Sequence, residues 1–143
     1  MLEHELHYLL LRCFNLSNKR IVKHTAKLGL LPGQPKILEC LLEKDGQTGK
    51  EISALCSIDK STLTSLLNRM EALELVVRKP CSKDKRSSRI FLTEKGKDQA
   101  KKVKTICLHA DETVLDRLSP EQAEMVTNTL ELLISAYEED SDE

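Results

Sequence analysis

The sequence predicts a mainly α-helical protein with one small β-hairpin. Apolar residues recur at spacings of three and four through most of the 143 residues, which is the period of an amphipathic helix. Two short runs near the middle, 76–79 and 89–92, break this period and have the apolar, β-prone composition of strands. Only five Gly and four Pro interrupt the chain, so we expect few irregular segments.

Composition excludes several classes of protein. Aromatic residues make up 3% of the chain, which argues against a stacking platform for single strands or sugars. No apolar run approaches the roughly 18 residues of a membrane span, and no secretory leader opens the chain. The five cysteines are irregularly spaced, so neither a disulfide framework nor a zinc pattern is expected. We predict a cytoplasmic protein without a metal or cofactor.

The N-terminal third predicts two helices separated by a break. A short second helix, with Ile37, Leu38, Leu41 and Leu42 apolar, follows the break at 30–35, and Asp45-Gly46 predicts the turn after it. The apolar positions of the long first helix are Leu2, Leu6, Leu9, Leu10, Cys13, Ile21 and Leu28.

Two further helices have clear start signals. Thr48 and Glu51 have capping-box spacing, so a helix begins there and is expected to bury Ile52 and Leu55. Asp59 is a second N-cap. Two short helices across a tight turn form a helix-turn-helix. The apolar stripe of the second is Leu63, Leu66, Leu67, Met70 and Leu73, and its polar face carries Ser61, Ser65 and Asn68, flanked by Thr64 and Arg69.

The remainder predicts a hairpin and two helices. Residues 80–88 are polar and basic and are expected to form an extended loop between the two strands. Thr93 is a candidate cap for the next helix, and Ser119-Pro120 begins the last one. The last helix is predicted to bury Ala123, Val126, Leu130, Leu133 and Tyr137.

The charge distribution points to a polyanion. The net charge is only −1, yet residues 50–104 hold 14 Lys and Arg against 7 Asp and Glu. Within 76–104 the counts are 11 and 3. A basic centre beside a helix-turn-helix predicts binding to double-stranded DNA, with the polar helix face in the major groove. In the loop, Arg86 is the candidate for the minor groove and Asp84 for orienting it. Candidates for phosphate contacts in the loop and on the strands beside it are Lys79, Lys83, Lys85 and Arg89.

The run from Asp84 to Gly96, which includes Ser87 and Leu92-Thr93, resembles the wing signature of the MarR family, Asp-x-Arg followed by a strand and Leu-Thr-x-x-Gly. The segment 29–35 resembles that family's first linker. The resemblance covers nearly the whole chain. It implies a homodimeric winged helix-turn-helix regulator of pseudo-palindromic DNA, in which small ligands or oxidants modulate binding. By position it also places Thr62 in the recognition helix.

The chain departs from the family pattern at three places, one of which is the helix after the wing, where the zinc-sensing branch has several His and this chain has only His109. Glu74 stands where the family often has Gly after the recognition helix, so that helix end is expected to differ. The early reactive Cys of the peroxide-sensing branch is replaced by His7. Cys81, close to Lys79 and Lys83, is a candidate redox thiol on an exposed loop, with an incidental cysteine as the alternative.

Domain organisation follows from the same elements. We predict one domain, with a DNA-binding unit at 35–96 and dimerisation helices at 1–31 and 97–143, because their apolar stripes exceed what one small unit covers. No catalytic constellation stands out, so an enzyme is not expected. The alternative function is a winged module whose basic wing binds an acidic protein partner.

Overall fold

The computed structural model describes residues 1–81 and 84–140, with the backbone alone for Asp84–Ser87. The chain divides into two compact units, Met1–Cys107 and Leu108–Glu143. The predicted mainly helical fold with a small sheet is confirmed. The described helices are α1 (Leu6–Thr25, with 3-10 turns at Leu2–His4 and Ala26–Leu28), α2 (Gln34–Glu43), α3 (Gly49–Cys56), α4 (Lys60–Ala72), α5 (Glu94–Leu115) and α6 (Pro120–Asp140).

The helix-turn-helix begins at the two caps that the sequence predicts. Thr48 Oγ1 accepts a hydrogen bond from the Glu51 amide at 3.2 Å, and the Glu51 carboxylate accepts one from the Thr48 amide at 3.3 Å. Asp59 caps α4 with its side chain alone, which accepts a hydrogen bond from the Thr62 amide. Between the two helices Ser57 takes the left-handed conformation, with φ of 53°. Local capping therefore sets where α3 and α4 begin.

A three-stranded antiparallel sheet follows the helix pair. Its strands are β1 (Gln47–Thr48), β2 (Val76–Cys81) and β3 (Asp84–Leu92), in the order β1-β3-β2. The predicted hairpin is present, but the prediction of a loop over 80–88 is wrong, because both strands continue into it. β2 is an edge strand with a bulge between Pro80 and Cys81, which accommodates a proline that cannot donate to the ladder. A strand of two residues, such as β1, leaves no periodic signal in a sequence.

One hydrophobic core lies under the helix-turn-helix and the sheet. Ile37, Leu41, Ile52 and Met70 are completely buried in it, as is Val103 from the first half of α5. Each aliphatic side chain of this size contributes roughly 1.5–3 kcal/mol when it leaves water. The core therefore holds α4 against a fixed scaffold and leaves its other face outside.

Two apolar residues lie outside this core, contrary to prediction. Leu55 was expected to be buried beside Ile52, yet it is 69% exposed, and Cys56 completes the buried face of α3 instead. Residues 52 and 56 are four apart and lie on one side of the helix. Because α3 has only eight residues, its buried side holds little more than these two. Leu73, the last residue of the predicted stripe, follows the end of α4 and is 46% exposed.

The terminal helices leave large apolar surfaces exposed. In α1 only Thr25 is buried, while Leu6, Leu9 and Phe14 are each about half exposed. No described residue of α6 is buried, so the prediction that its stripe is buried is wrong for a single chain. Exposed apolar area of this extent on a small protein marks an interaction surface.

Glu74 takes a left-handed backbone conformation, in which glycine is favoured. Its φ is +61°, in the left-handed region. The premise that Glu74 would avoid this conformation at the helix end is therefore wrong. The backbone follows the glycine-type geometry because two contacts fix it: the Leu75 amide donates to the Met70 carbonyl at 2.9 Å, and Thr93 Oγ1 donates to the Glu74 carbonyl at 2.6 Å. A residue with a Cβ pays a steric cost in this region.

We therefore expect Glu74→Gly to raise the free energy of unfolding by about 0.5–1 kcal/mol, because relief of this strain exceeds the added freedom of the unfolded chain. Urea denaturation measures the change. Ala72→Gly, in the last turn of α4, is the control and is expected to lower stability. Equal losses in both variants would contradict the prediction.

Candidate nucleic-acid interface

Asp59 organises the first turn of α4 and uses two of the predicted DNA-binding hydroxyls to do so. Its carboxylate accepts hydrogen bonds from the Thr62 amide, the Thr62 hydroxyl and the Ser61 hydroxyl, each at 2.8 Å. These bonds, led by that of the Thr62 amide, lower the pKa of Asp59 from 3.8 to about 2. With their protons donated to Asp59, the Ser61 and Thr62 hydroxyls are left with acceptor lone pairs.

The lowered pKa predicts a pH-dependent cap. A carboxyl with a depressed folded pKa stabilises the protein above its unfolded pKa, and this stability is lost as the pH falls through the folded pKa. We expect Asp59→Ala to lower the urea midpoint at neutral pH. The difference in urea midpoint between this variant and wild type should become smaller from about pH 4 towards pH 2. Thr48→Ala, which removes an uncharged cap from α3, is the control. A difference in urea midpoint between Asp59→Ala and wild type that stays constant across this pH range would contradict the prediction.

The predicted polar face of α4 lies on the outside of the molecule. The opposite face, with Leu63, Leu66, Leu67 and Met70, is buried in the core. Of the outward groups, the Thr64 hydroxyl donates back to the Lys60 carbonyl at 2.9 Å. Exposed on this face are Ser61, Thr62, Thr64, Ser65, Asn68 and Arg69.

A groove beside α4 brings together cations that the sequence analysis did not select. It runs between α3, α4 and the sheet, and Lys50, Lys60 and Arg78 line it together with Thr48 and Ser88. These cations come from three separate elements, so no run of basic residues marks them in the sequence. Convergence of this kind suits a phosphate backbone.

Arg78 ties β2 to the outer face of α4. Its Nη2 donates to Asn68 Oδ1 at 2.7 Å, and its Nε lies 3.0 Å from a Glu71 carboxylate oxygen. The sequence signal that would have identified Arg78 is a charged residue in a short strand directly after the helix-turn-helix.

The hairpin of β2 and β3 forms the wing. Arg89 is exposed and donates to the Gly46 carbonyl at 2.9 Å, and Lys79 lies over the Phe91 ring at 4.9 Å. The backbone of Asp84, Lys85, Arg86 and Ser87 belongs to β3. Their side chains lie outside the described residues, and Lys83 does so entirely. The predicted Asp84–Arg86 pair is therefore still a prediction.

The Leu-Thr-x-x-Gly segment clamps the end of α4 to the start of α5. The Thr93 amide donates to the Leu75 carbonyl at 3.0 Å, and Lys95 Nζ donates to the Leu73 carbonyl at 2.9 Å. Gly96 lies against the Leu75 carbonyl, where a Cβ would collide with the oxygen. These contacts connect the end of α4 to the start of α5.

The expectation that Cys81 lies on an exposed loop is wrong. It ends β2, opposite Asp84, and is half-buried. Cys56 and Cys107 are buried. Burial, followed by the nearby Cys40, raises the pKa of the Cys56 thiol to about 12, so this thiol is protonated at neutral pH and unreactive.

Metal sites and membrane spans are absent from the described part of the chain. Over residues 1–81 and 84–140, no three His, Cys, Asp or Glu side chains are grouped as metal ligands would be. Within the same ranges, every helix is too short or too polar to cross a bilayer.

A helix-turn-helix, an exposed polar second helix and a β-hairpin beside it define a winged helix-turn-helix protein. The sequence profile of the MarR family matches residues 28–87, and similarity to members of that family extends along most of the chain. The chain belongs to the MarR family of transcriptional regulators. Regulators of this family are non-enzymatic DNA-binding proteins, which confirms the expectation that the chain is not an enzyme.

Both the sequence and the fold of this chain are similar to those of known regulators. The HTH-type transcriptional regulator MhqR of Bacillus subtilis strain 168 is 28% identical over 88% of this chain and 87% of its own length. A MarR transcriptional regulator from Methanosarcina mazei Go1 superposes with a TM-score of 0.87 and 27% identity, over 94% of this chain and 96% of the other. The S. aureus MepR–DNA complex superposes with a TM-score of 0.82 over 92% and 98%. At 22% identity, the likeness to MepR establishes the fold alone.

Proposed function

We propose that the protein is a homodimeric repressor that binds a pseudo-palindromic site in double-stranded DNA. The observation that carries this proposal is the outer face of α4, which presents unburied polar groups beside the cations Lys50, Lys60 and Arg78. An α-helix of this kind fits the major groove. MepR, which has the same fold, has been solved as a DNA complex.

Within this proposal the wing contacts the neighbouring minor groove. Arg86 enters the groove, Asp84 orients Arg86, and Lys83, Lys85, Ser87 and Arg89 contact phosphates. The basic composition of 76–104 supports this assignment. The bond from Arg89 to the Gly46 carbonyl occupies one of its N–H groups, and a guanidinium has five.

The exposed apolar residues of α1 and α6 support the homodimer. A two-fold dimer covers the same surface on both copies and places two α4 helices for two half-sites. In this arrangement 35–96 is the DNA-binding unit, and 1–31 and 97–143 provide the dimer contacts. A dimer seated on an operator blocks access to it, which is the basis for repression.

A small effector has a candidate place in the first unit. A cavity lies between α1, α2 and α5, where Phe14, Ile21, Pro35, Lys36 and Glu39 line it. Lys36 Nζ lies over the Phe14 ring at 4.7 Å, so an apolar wall and a cation meet there. A ligand in this cavity would alter how α1 meets the DNA-binding unit. Because the partner is chromosomal DNA, we propose that the protein works in the cytoplasm.

Selection of genomic duplex fragments by the purified protein at several salt concentrations tests the proposal. We expect one inverted repeat with half-site centres about 34–36 Å apart, and binding that weakens as salt rises. Arg86→Ala is expected to weaken binding about tenfold. Arg117→Ala removes the same charge between α5 and α6 and is the control. Failure to retain any fragment at low salt would favour the alternative, a wing that binds an acidic protein.

A further inference from the structure

Arg78 contacts α4 at two residues on one side of the helix. Asn68 and Glu71 are three residues apart and therefore neighbours on the helix surface. The Arg78 guanidinium donates to the Asn68 oxygen at 2.7 Å and pairs with Glu71 at 3.0 Å. A guanidinium carries donors and no acceptor. It can therefore bind only the oxygen of the Asn68 carboxamide, and the amide nitrogen must face away from it.

This orientation changes what Asn68 offers to a base. An Asn side chain binds adenine by accepting from N6 and donating to N7, which requires its oxygen. In this chain a charge-assisted bond, about twice as strong as a neutral one, already holds that oxygen. The bond occupies one of the two lone pairs of the oxygen and fixes the orientation of the carboxamide, which leaves Nδ2, a donor, as the fully available group. Guanine presents two adjacent acceptors, N7 and O6, on its major-groove edge.

We propose that Arg78 is a specificity-positioning residue that holds Asn68 as a hydrogen-bond donor, so that α4 selects guanine rather than adenine at the base pair that Asn68 contacts. The proposal rests on the proposed function, because it needs α4 in the major groove. Residue type alone would pair Asn68 with adenine.

The surroundings of Arg78 favour a role in recognition over one in stability. The side chains of Arg78 and Glu71 are 32% and 46% exposed, and ion pairs this exposed contribute little to folding. Glu71 is also an acidic side chain on the α4 surface, and the contact with Arg78 offsets its repulsion of phosphates. We therefore expect substitution of Arg78 to shift the melting temperature by no more than about 3 °C.

Base-preference profiles from a randomised duplex library test the proposal on the full-length protein. Asn68→Ala identifies the base pair that Asn68 contacts, because the preference there disappears. At that base pair we expect wild type to prefer guanine over adenine and Arg78→Met to reduce the guanine-to-adenine ratio about tenfold. Asn68→Asp keeps the contact with Arg78 but has no donors, so its preference should move to cytosine, whose N4 amino group donates.

Lys79→Met is the matched control, since it removes a neighbouring positive charge from the same strand. It should weaken binding to all sequences alike and leave the guanine-to-adenine ratio unchanged. The proposal is overturned if wild type prefers adenine at the mapped base pair, if Asn68→Ala changes no preference, or if Arg78→Met leaves the ratio within about twofold of wild type. If wild type enriches no motif at all, the proposed function fails first.

Discussion

Replacing Gly96 with alanine is expected to lower the free energy of unfolding by about 3 kcal/mol, at the upper end of the cost of overpacking. A Cβ at this position would overlap the Leu75 carbonyl oxygen and lie 3.0 Å from the carbonyl carbon. Both atoms belong to the backbone, so no side-chain rotation relieves the clash. Either α5 or the end of α4 must move, and the hydrogen bonds of Thr93 and Lys95 to this segment are then strained.

The consequence extends to DNA binding, because the same segment positions the outer face of α4. We expect Gly96→Ala to lose DNA affinity even at temperatures where it is folded. Gly49→Ala is the matched control: the nearest atom to its Cβ, on the Leu63 side chain, is 3.9 Å away, and stability should change little. Urea denaturation of both variants measures the difference. Indistinguishable midpoints would show that the packing of Gly96 has been misjudged.

Replacing Leu130 with glutamate is expected to dissociate the proposed dimer and raise its dissociation constant more than about a hundredfold, since the charge would be buried without a partner. Leu130 is 43% exposed in the single chain, in the stripe with Val126, Leu133 and Tyr137. Because the single chain does not bury this side chain, the protomer should keep its helical content.

Sedimentation at micromolar protein concentration measures the change, and circular dichroism checks the fold. Asn128→Glu is the control, because position 128 is about half a helical turn from the centre of that stripe. We expect Asn128→Glu to remain dimeric and to bind DNA as wild type does. A dimeric Leu130→Glu variant would remove this face of α6 from the proposed interface.

Glu74 and Cys81 show where interpretation of the sequence by residue type is insufficient. Glutamate is a poor residue for a left-handed helix end, yet Glu74 adopts that geometry because hydrogen bonds from segments on either side hold it there. Cys81 stands in a run too polar to suggest a strand. Backbone pairing with β3 nevertheless extends β2 as far as Cys81. In both cases partners elsewhere in the chain outweigh the local preference.

The sequence by itself determined the starts of α3 and α4, the polar and apolar faces of α4, the presence of a hairpin and the family. These features depend on capping and periodicity, which act within a few residues. Only the tertiary structure decided the length of the wing strands, the exposure of Leu55, the close packing of Gly96 and the contact of Arg78 with Asn68. Each of these depends on which surfaces the folded chain brings together, and a residue's own type does not specify its neighbours in space.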